Sequence, residues 1–279
     1  MLVKDLMTKK PIVAKLPGNR EDVMALMVKH NKTSVPVVSP EGEYVGVITR
    51  KMIFQKPDVD QLAMLVNRNH PYISPTAEID KAAAKLVQER VFRLPVVKGG
   101  SVVGIITPSD ILKVVEDGDY DDPVERFITT TCVPIHLKTP IKVAANIIRV
   151  SAVYALPVLD DEGELVGIVT DRDLFNQSYI DKGTKLTELG LGSDEDDWTW
   201  EGLRNIMPFY FEVSKVDLPM NPVSEIMVKD PLTVYGKTPV AKAARDMRKN
   251  DFGQLPVLDK DNRLQSLIYE LDILKCLTT

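Results

Sequence analysis

Hydrophobic positions fall in a pattern that the chain writes four times. Four short apolar strands each carry a proline: Ser34-Val35-Pro36-Val37-Val38, Arg93-Leu94-Pro95-Val96-Val97, Ala155-Leu156-Pro157-Val158-Leu159 and Gln254-Leu255-Pro256-Val257-Leu258. Each is followed, after a polar turn, by a second apolar strand: Gly46-Val47-Ile48-Thr49, Gly104-Ile105-Ile106-Thr107, Gly167-Ile168-Val169-Thr170 and the deviant Ser266-Leu267-Ile268-Tyr269. The turns are rich in glycine, aspartate and asparagine, as hairpin connections demand.

Registering the copies on their prolines extends the match upstream. Thirteen positions earlier stand Val23, Ala82, Ala144 and Ala243, and nine positions earlier Met27, Leu86, Ile148 and Met247. Positions four apart share one face of a helix, so each copy predicts an amphipathic helix with this face buried. Twenty-nine positions earlier stand Met7, Val66, Ile128 and Met227, each closing a short apolar helical turn. Each copy therefore reads helix, strand, helix, strand, strand, helix. The first of these strands is placed at Pro11–Ala14 in copy one, and the last helix there at Arg50–Gln55.

The repeats are bounded at residues 1–56, 60–117, 122–178 and 221–279. Their prolines are 59, 62 and 99 residues apart, and the last interval is long because residues 179–220 form an insert. That insert holds Asp194-Glu195-Asp196-Asp197, both tryptophans (Trp198 and Trp200) and Pro208-Phe209-Tyr210-Phe211. Packing back on the second pair of repeats and docking another protein are its two readings. A three-stranded sheet with one open face can hardly bury its apolar side alone, so adjacent copies are expected to pack in pairs around shared cores. The fold class is α+β or α/β, with small three-stranded sheets and flanking helices.

Composition narrows the function. The chain has 279 residues, 44% hydrophobic and 27% charged, with a net charge of −5. Such an acidic balance without a basic stripe argues against nucleic acid as a partner. Cys132 and Cys276, with His30, His70 and His136, have no metal-ligand spacing. No apolar run approaches the roughly 20 residues that span a bilayer, and the opening Met1–Asp5 has no signal-peptide pattern. A cytoplasmic protein away from membranes is the expectation. No Gly-x-Ser-x-Gly, Cys-x-x-Cys or His-Glu-x-x-His pattern occurs, and Leu189-Gly190-Leu191-Gly192 lacks the rest of a phosphate loop.

Candidate chemistry lies where the second hairpin strand ends. Thr107-Pro108-Ser109-Asp110, Thr170-Asp171-Arg172-Asp173 and Tyr269-Glu270-Leu271-Asp272 each place an acid on the first turn of a following helix, three residues past the strand. Helix capping explains a hydroxyl followed by an acid at this spacing. A ligand site explains it too, because both groups point into one space beside helix-start N–H groups.

These motifs, four times over, resemble the cystathionine-β-synthase (CBS) domain, whose marks are the leucine-proline-valine strand, the glycine-two-apolar-threonine strand and the aspartate three residues on. The resemblance covers almost everything except residues 178–221. It implies pairing of repeats into two Bateman modules that bind adenosine-containing ligands in clefts between paired sheets. The whole chain is similar to the nucleotide-sensing gamma subunit of AMP-activated protein kinase and to archaeal four-domain proteins.

In that family the aspartate grips ribose hydroxyls, which nominates Asp110, Asp173 and Asp272, in that order. Met52 replaces it in the first copy. Thr107, Ser109 and Thr170 are expected beside ribose or phosphate, and bulky Tyr269 to fill part of the cleft that Asp272 would serve. The family's basic residue just before the proline reaches phosphate. Only Arg93 provides it, with Ser34, Ala155 and Gln254 at the matching positions. Arg172 is the second cation, and Ser34 joins the Asp110 set. The base would rest on the partner copy's first strand, at Ala14 for Asp110, Thr233 for Asp173 and Ile135 for Asp272.

The resemblance implies a non-catalytic regulator that binds AMP, ADP or ATP, needs no cofactor or metal and signals to an effector protein. S-adenosylmethionine and methylthioadenosine are rival ligands. An enzyme, or the detached regulatory half of one, is the alternative, because similar modules accompany inosine-monophosphate dehydrogenase. Exposed helices at module edges are compatible with a homodimer.

Overall fold

A computed structural model describes residues 1–30, 32–49, 52–53, 59–151, 153–170, 173–174 and 220–278. These divide into two compact units, residues 1–110 and the described residues from 111 onward. In the first unit, a helical turn at Val3–Leu6 leads to strands β1 (Thr8–Lys9) and β2 (Ala14–Lys15), the helix Arg20–Lys29 and the hairpin β3 (Ser34–Val38) and β4 (Tyr44–Thr49). The second repeat follows with a turn at Leu62–Leu65, the helix Ile79–Glu89, the hairpin β5 (Leu94–Lys98) and β6 (Ser101–Ile106), and the helix Pro108–Asp117, of which Pro108–Asp110 belongs to this unit.

The second unit repeats the order. A 3-10 turn at Val124–Arg126 precedes β7 (Ile135–His136), the helix Ile141–Ser151 and the hairpin β8 (Ala155–Leu159) and β9 (Leu165–Thr170). Its other repeat has a 3-10 turn at Val223–Glu225, β10 (Val228–Lys229), β11 (Val234–Tyr235), the helix Val240–Asn250, and the hairpin β12 (Gln254–Leu258) and β13 (Leu264–Tyr269). It closes with an α-helical turn at Glu270–Ile273 that passes into a 3-10 turn at Leu274–Leu277. The strand expected over Pro11–Ala14 begins only at Ala14, which pairs in parallel with Val37 while Lys15 pairs with Val38. Pro11 has no N–H to give such a ladder. Of the helix expected over Arg50–Gln55, Met52 and Ile53 are described and helical. The aromatic and acidic stretch of the insert lies outside the described residues.

The helix faces read from the sequence do point inward. Val23, Ala82, Ala144 and Ala243 are completely buried, as are Met27, Leu86 and Met247 to within 1% exposure. Ile148 is half-buried. Each fully buried large side chain contributes about 1.5–3 kcal/mol.

Neighbouring repeats exchange strands within each unit. β1 of the first repeat adds antiparallel to β6 of the second, and β10 of the fourth adds to β9 of the third. Reciprocally, Asn67 of the second repeat bridges Val47 of the first, and Leu62 and Leu65 enter the first repeat's core with Val23, Val35 and Ile48. Three of the four corners of this exchange are thus made. The fourth would set Thr129 against Leu267, and no bridge joins those two residues.

Glycine explains the difference. The exchanged chain lies directly on the glycine that opens the second hairpin strand. A Cβ at Gly46 would strike the Asn67 carbonyl oxygen and come within 2.7 Å of Val66, and one at Gly104 would run into the Met7 sulfur. At Gly167 it would lie 2.5 Å from the Met227 sulfur. The fourth repeat carries Ser266 at this position, and a side chain there keeps the segment at Ile128–Thr129 from closing on β13. We predict that Gly46→Ala destabilises the protein by about 2 kcal/mol, because overlap with a backbone carbonyl cannot relax by a rotamer change. Ser266→Gly has no such contact to lose and should change stability by less than about 1 kcal/mol. Urea unfolding of both variants checks the contrast, and equal losses would contradict it.

Candidate functional site

The expected threonine–aspartate pairs form closed local clasps. The Thr107 N–H and hydroxyl both donate to Asp110 Oδ2, at 2.8 and 2.7 Å, and the Asp110 N–H donates back to Thr107 Oγ1 at 3.4 Å. Thr170 and Asp173 repeat this with 2.8, 2.7 and 3.3 Å. Capping therefore occurs, as the sequence reading allowed, and it uses one carboxylate oxygen. Both aspartates are half-buried at the start of their helices, and no hydrogen bond to Oδ1 of either is found among the described residues. In the first repeat Thr49 still caps, accepting the Met52 N–H at 3.2 Å, but Met52 brings no carboxylate.

The fourth repeat differs. Asp272 is buried to 2% exposure, and both its oxygens are engaged. Oδ2 accepts from the Tyr269 N–H at 3.2 Å and the Thr130 hydroxyl at 3.5 Å. Oδ1 accepts from the Thr129 hydroxyl at 3.1 Å and from the Lys275 ammonium. The Tyr269 ring is buried with Ala155, Ile168 and Leu267, against half-buried Cys132. Tyr269 thus fills space between the third and fourth repeats.

Arg93 links the first two repeats. Its Nη2 donates to the Thr33 hydroxyl at 2.8 Å and its Nη1 to the Ser34 carbonyl at 3.4 Å. The backbone carbonyl of Arg93 meets Nε2 of His70 at 3.1 Å. His70 is 9% exposed, and burial holds its imidazole below the usual value, consistent with a neutral ring that donates to this carbonyl. The Ser34 side chain is 6% exposed, and its hydroxyl has no hydrogen-bond partner among the described residues. Thr33 and His70 were not among the sequence candidates. A hydroxyl reached across 60 residues leaves no local signal.

Ala14 is buried in the first repeat's core. Ile135 holds the same register, each residue pairing with the valine just after its repeat's proline. In the fourth repeat that register belongs to Val234, which pairs with Val257, and Thr233 stands half-buried one residue earlier. Ser109 is exposed on the first helical turn beside Asp110. Arg172 lies outside the described residues. Among the described residues no group of His, Cys, Asp and Glu is placed to hold a metal ion, and no helix is long and apolar enough to cross a membrane.

Four copies of one hairpin-and-helix unit, exchanging strands within pairs and capping the following helix with threonine in three copies, define a tandem-repeat protein of small paired α+β domains. The chain belongs to the CBS domain family, whose profile matches residues 3–57, 60–117, 124–179 and 223–279. Uncharacterized protein MJ1225 of Methanocaldococcus jannaschii is 26% identical over 299 residues, which covers 98% of each chain. The crystal structure of an uncharacterized conserved protein from Pyrococcus horikoshii matches with a TM-score of 0.71 and 30% identity, over 99% of this chain and 100% of that one. A CBS domain-containing protein of Dictyostelium discoideum, DDB_G0289609, is 31% identical over 154 residues, 55% of this chain and 90% of its own.

Burial pushes the Asp110 carboxyl above its ordinary 3.8, against the pull of the two Thr107 hydrogen bonds. A raised carboxylate makes its full contribution to stability below 3.8 and loses it as pH rises through the raised value. Asp110→Asn cannot ionise. The stability of the wild type relative to this variant should therefore fall as pH rises from about 4 through the carboxylate range, then level off. Urea titrations across a pH series measure this, and a constant difference would refute the burial effect.

Proposed function

We propose that the chain is a non-catalytic regulator that binds an adenosine-containing ligand, with AMP or ATP favoured, at Asp110 and at Asp173. The observation that carries this reading is the clasp made twice with the same geometry, in which threonine fixes one carboxylate oxygen. The other is left to accept a vicinal hydroxyl pair. A carboxylate is the acceptor suited to the two hydroxyls of a ribose.

Arg93 supports a phosphate in addition to the ribose. The Thr33 hydroxyl and the Ser34 carbonyl that it meets are neutral oxygens, and a phosphate adds an opposite charge and a bidentate geometry that they lack. Buried Ser34, bonded through its carbonyl to the same arginine, has a hydroxyl ready for a ligand atom. S-adenosylmethionine and methylthioadenosine share the ribose and base but lack the phosphate, so the arginine separates these classes. Signalling to an effector protein follows if the ligand prefers one arrangement of the paired repeats, since a ligand shifts an equilibrium only by its differential affinity.

Asp110→Ala should weaken AMP binding at its site about tenfold or more, a loss of about 1.4 kcal/mol, without loss of fold by circular dichroism. Arg93→Ala should weaken ATP and AMP by a similar factor and leave adenosine unchanged. Asp173→Ala is the matching trial in the second unit. Titration calorimetry reads all three, and unaltered isotherms for Asp110→Ala and Asp173→Ala would remove the assignment.

A further inference from the structure

The tetrapeptide Asp-Ile-Leu-Lys occurs twice at corresponding positions, as Asp110-Ile111-Leu112-Lys113 and Asp272-Ile273-Leu274-Lys275. The two copies do different things. In the second repeat it lies within one continuous α-helix, Pro108–Asp117, with Lys113 exposed and Asp110 half-buried. In the fourth repeat the α-helix stops at Ile273 and the chain tightens into a 3-10 turn from Leu274. Residues three apart eclipse one another in that geometry, and Lys275 folds onto Asp272. Its ammonium donates to Asp272 Oδ1, to the Thr129 hydroxyl and to the Phe127 carbonyl, the last at 3.1 Å. All three donors of the ammonium are thereby used.

We infer that Lys275 is the built-in occupant of the fourth repeat's site, closing Asp272 to any ribose and leaving Asp110 and Asp173 as the chain's two ligand-gripping carboxylates. This rests on the proposed function for the nature of the excluded ligand, and it takes Asp272 out of the three nominated carboxylates. Two substitutions in one repeat act together with the lysine that it shares with the second. Ser266 stands where the other repeats have glycine, so the Thr129 segment does not pair with β13, and its hydroxyls and the Phe127 carbonyl turn to the lysine and the aspartate. Tyr269 stands where the others have threonine, and its ring is 4% exposed beside the carboxylate's own strand end. Lys275 then neutralises a carboxylate that is otherwise buried. A ribose approaching Asp272 would have to displace an ammonium and two threonine hydroxyls, and two ribose hydroxyls offer no charge to replace the one lost.

The test uses the full chain and four proteins: wild type, Asp272→Asn, Lys275→Met and the double variant. Thermal melting should show each single change lowering Tm, by about 5 °C or more for Lys275→Met, which strands the buried Asp272 carboxylate, and by less for Asp272→Asn, which strands the half-buried Lys275 ammonium. The double variant should lose less than the two single losses combined, since neither charge is then stranded. Calorimetric titration with AMP should give the same stoichiometry for Asp272→Asn as for wild type. Melting losses that simply add, or an Asp272→Asn protein that binds one AMP fewer per chain, would overturn the inference. If AMP binds no form of the protein, the proposed ligand class falls, while the melting cycle still decides whether Lys275 and Asp272 act as a locked pair.

Discussion

Three of the four hairpins in this chain accept the backbone of a neighbouring repeat at a distance that leaves no room for a side chain, and the rest of the structure follows from that contact. Where glycine allows it, the short strand of one repeat completes the sheet of the next, and the residue before that strand, Met7, Val66 or Met227, seals the glycine from above. The two repeats then share cores, as Leu62 and Leu65 do when they enter the core of the first. A sheet of this size could not bury its apolar face unaided. Pairing is thus a condition of folding, and the clasp residues at the strand ends are carried into position by it.

Much of this was legible because repetition amplifies weak local signals. One apolar turn followed by a short strand means little, but Met7, Val66, Ile128 and Met227 at one distance from four prolines mark a recurring apolar turn, half-buried in all four repeats. The helix faces at Val23, Ala82, Ala144 and Ala243 were readable for the same reason. The deviant Ser266 was visible too. Its consequence was not, because that depends on a carbonyl of another repeat approaching to within a Cβ radius.

The candidate site divided along the same line. Thr107–Asp110 and Thr170–Asp173 close over three residues, so spacing alone brings donor and acceptor together. Arg93 reaches Thr33 and Ser34 through the packing of two repeats, and sequence could nominate the cation but not its partners. The register of the first strands fixed Ala14 and Ile135 and set Val234, not Thr233, beside its valine, a shift of one residue that turns a side chain to the opposite face. The two Asp-Ile-Leu-Lys segments set the limit most clearly. Identical local sequence gives a half-buried clasp in one repeat and a sealed ion pair in the other, and residues far off in sequence decide which.

The position of Arg93 gives the proposed regulator a route from ligand to shape. Its side chain is a hydrogen-bonded tie between the starts of the two hairpins, and two of its acceptors, the Thr33 hydroxyl and the Ser34 carbonyl, are neutral. A hydrogen bond with one charged partner contributes about 1.5–3 kcal/mol, and a phosphate adds to this an opposite charge and a bidentate geometry. On the proposed reading, a phosphate within reach would compete with these two acceptors for the guanidinium, whereas an uncharged nucleoside would not. On the proposed reading, a phosphate that draws Arg93 away also removes a contact between repeats, so the ligand's charge would act on how tightly the pair is held. On the same reading, a ligand recognised only through ribose would occupy the clasp and leave that tie intact, so binding and signalling would separate at Arg93.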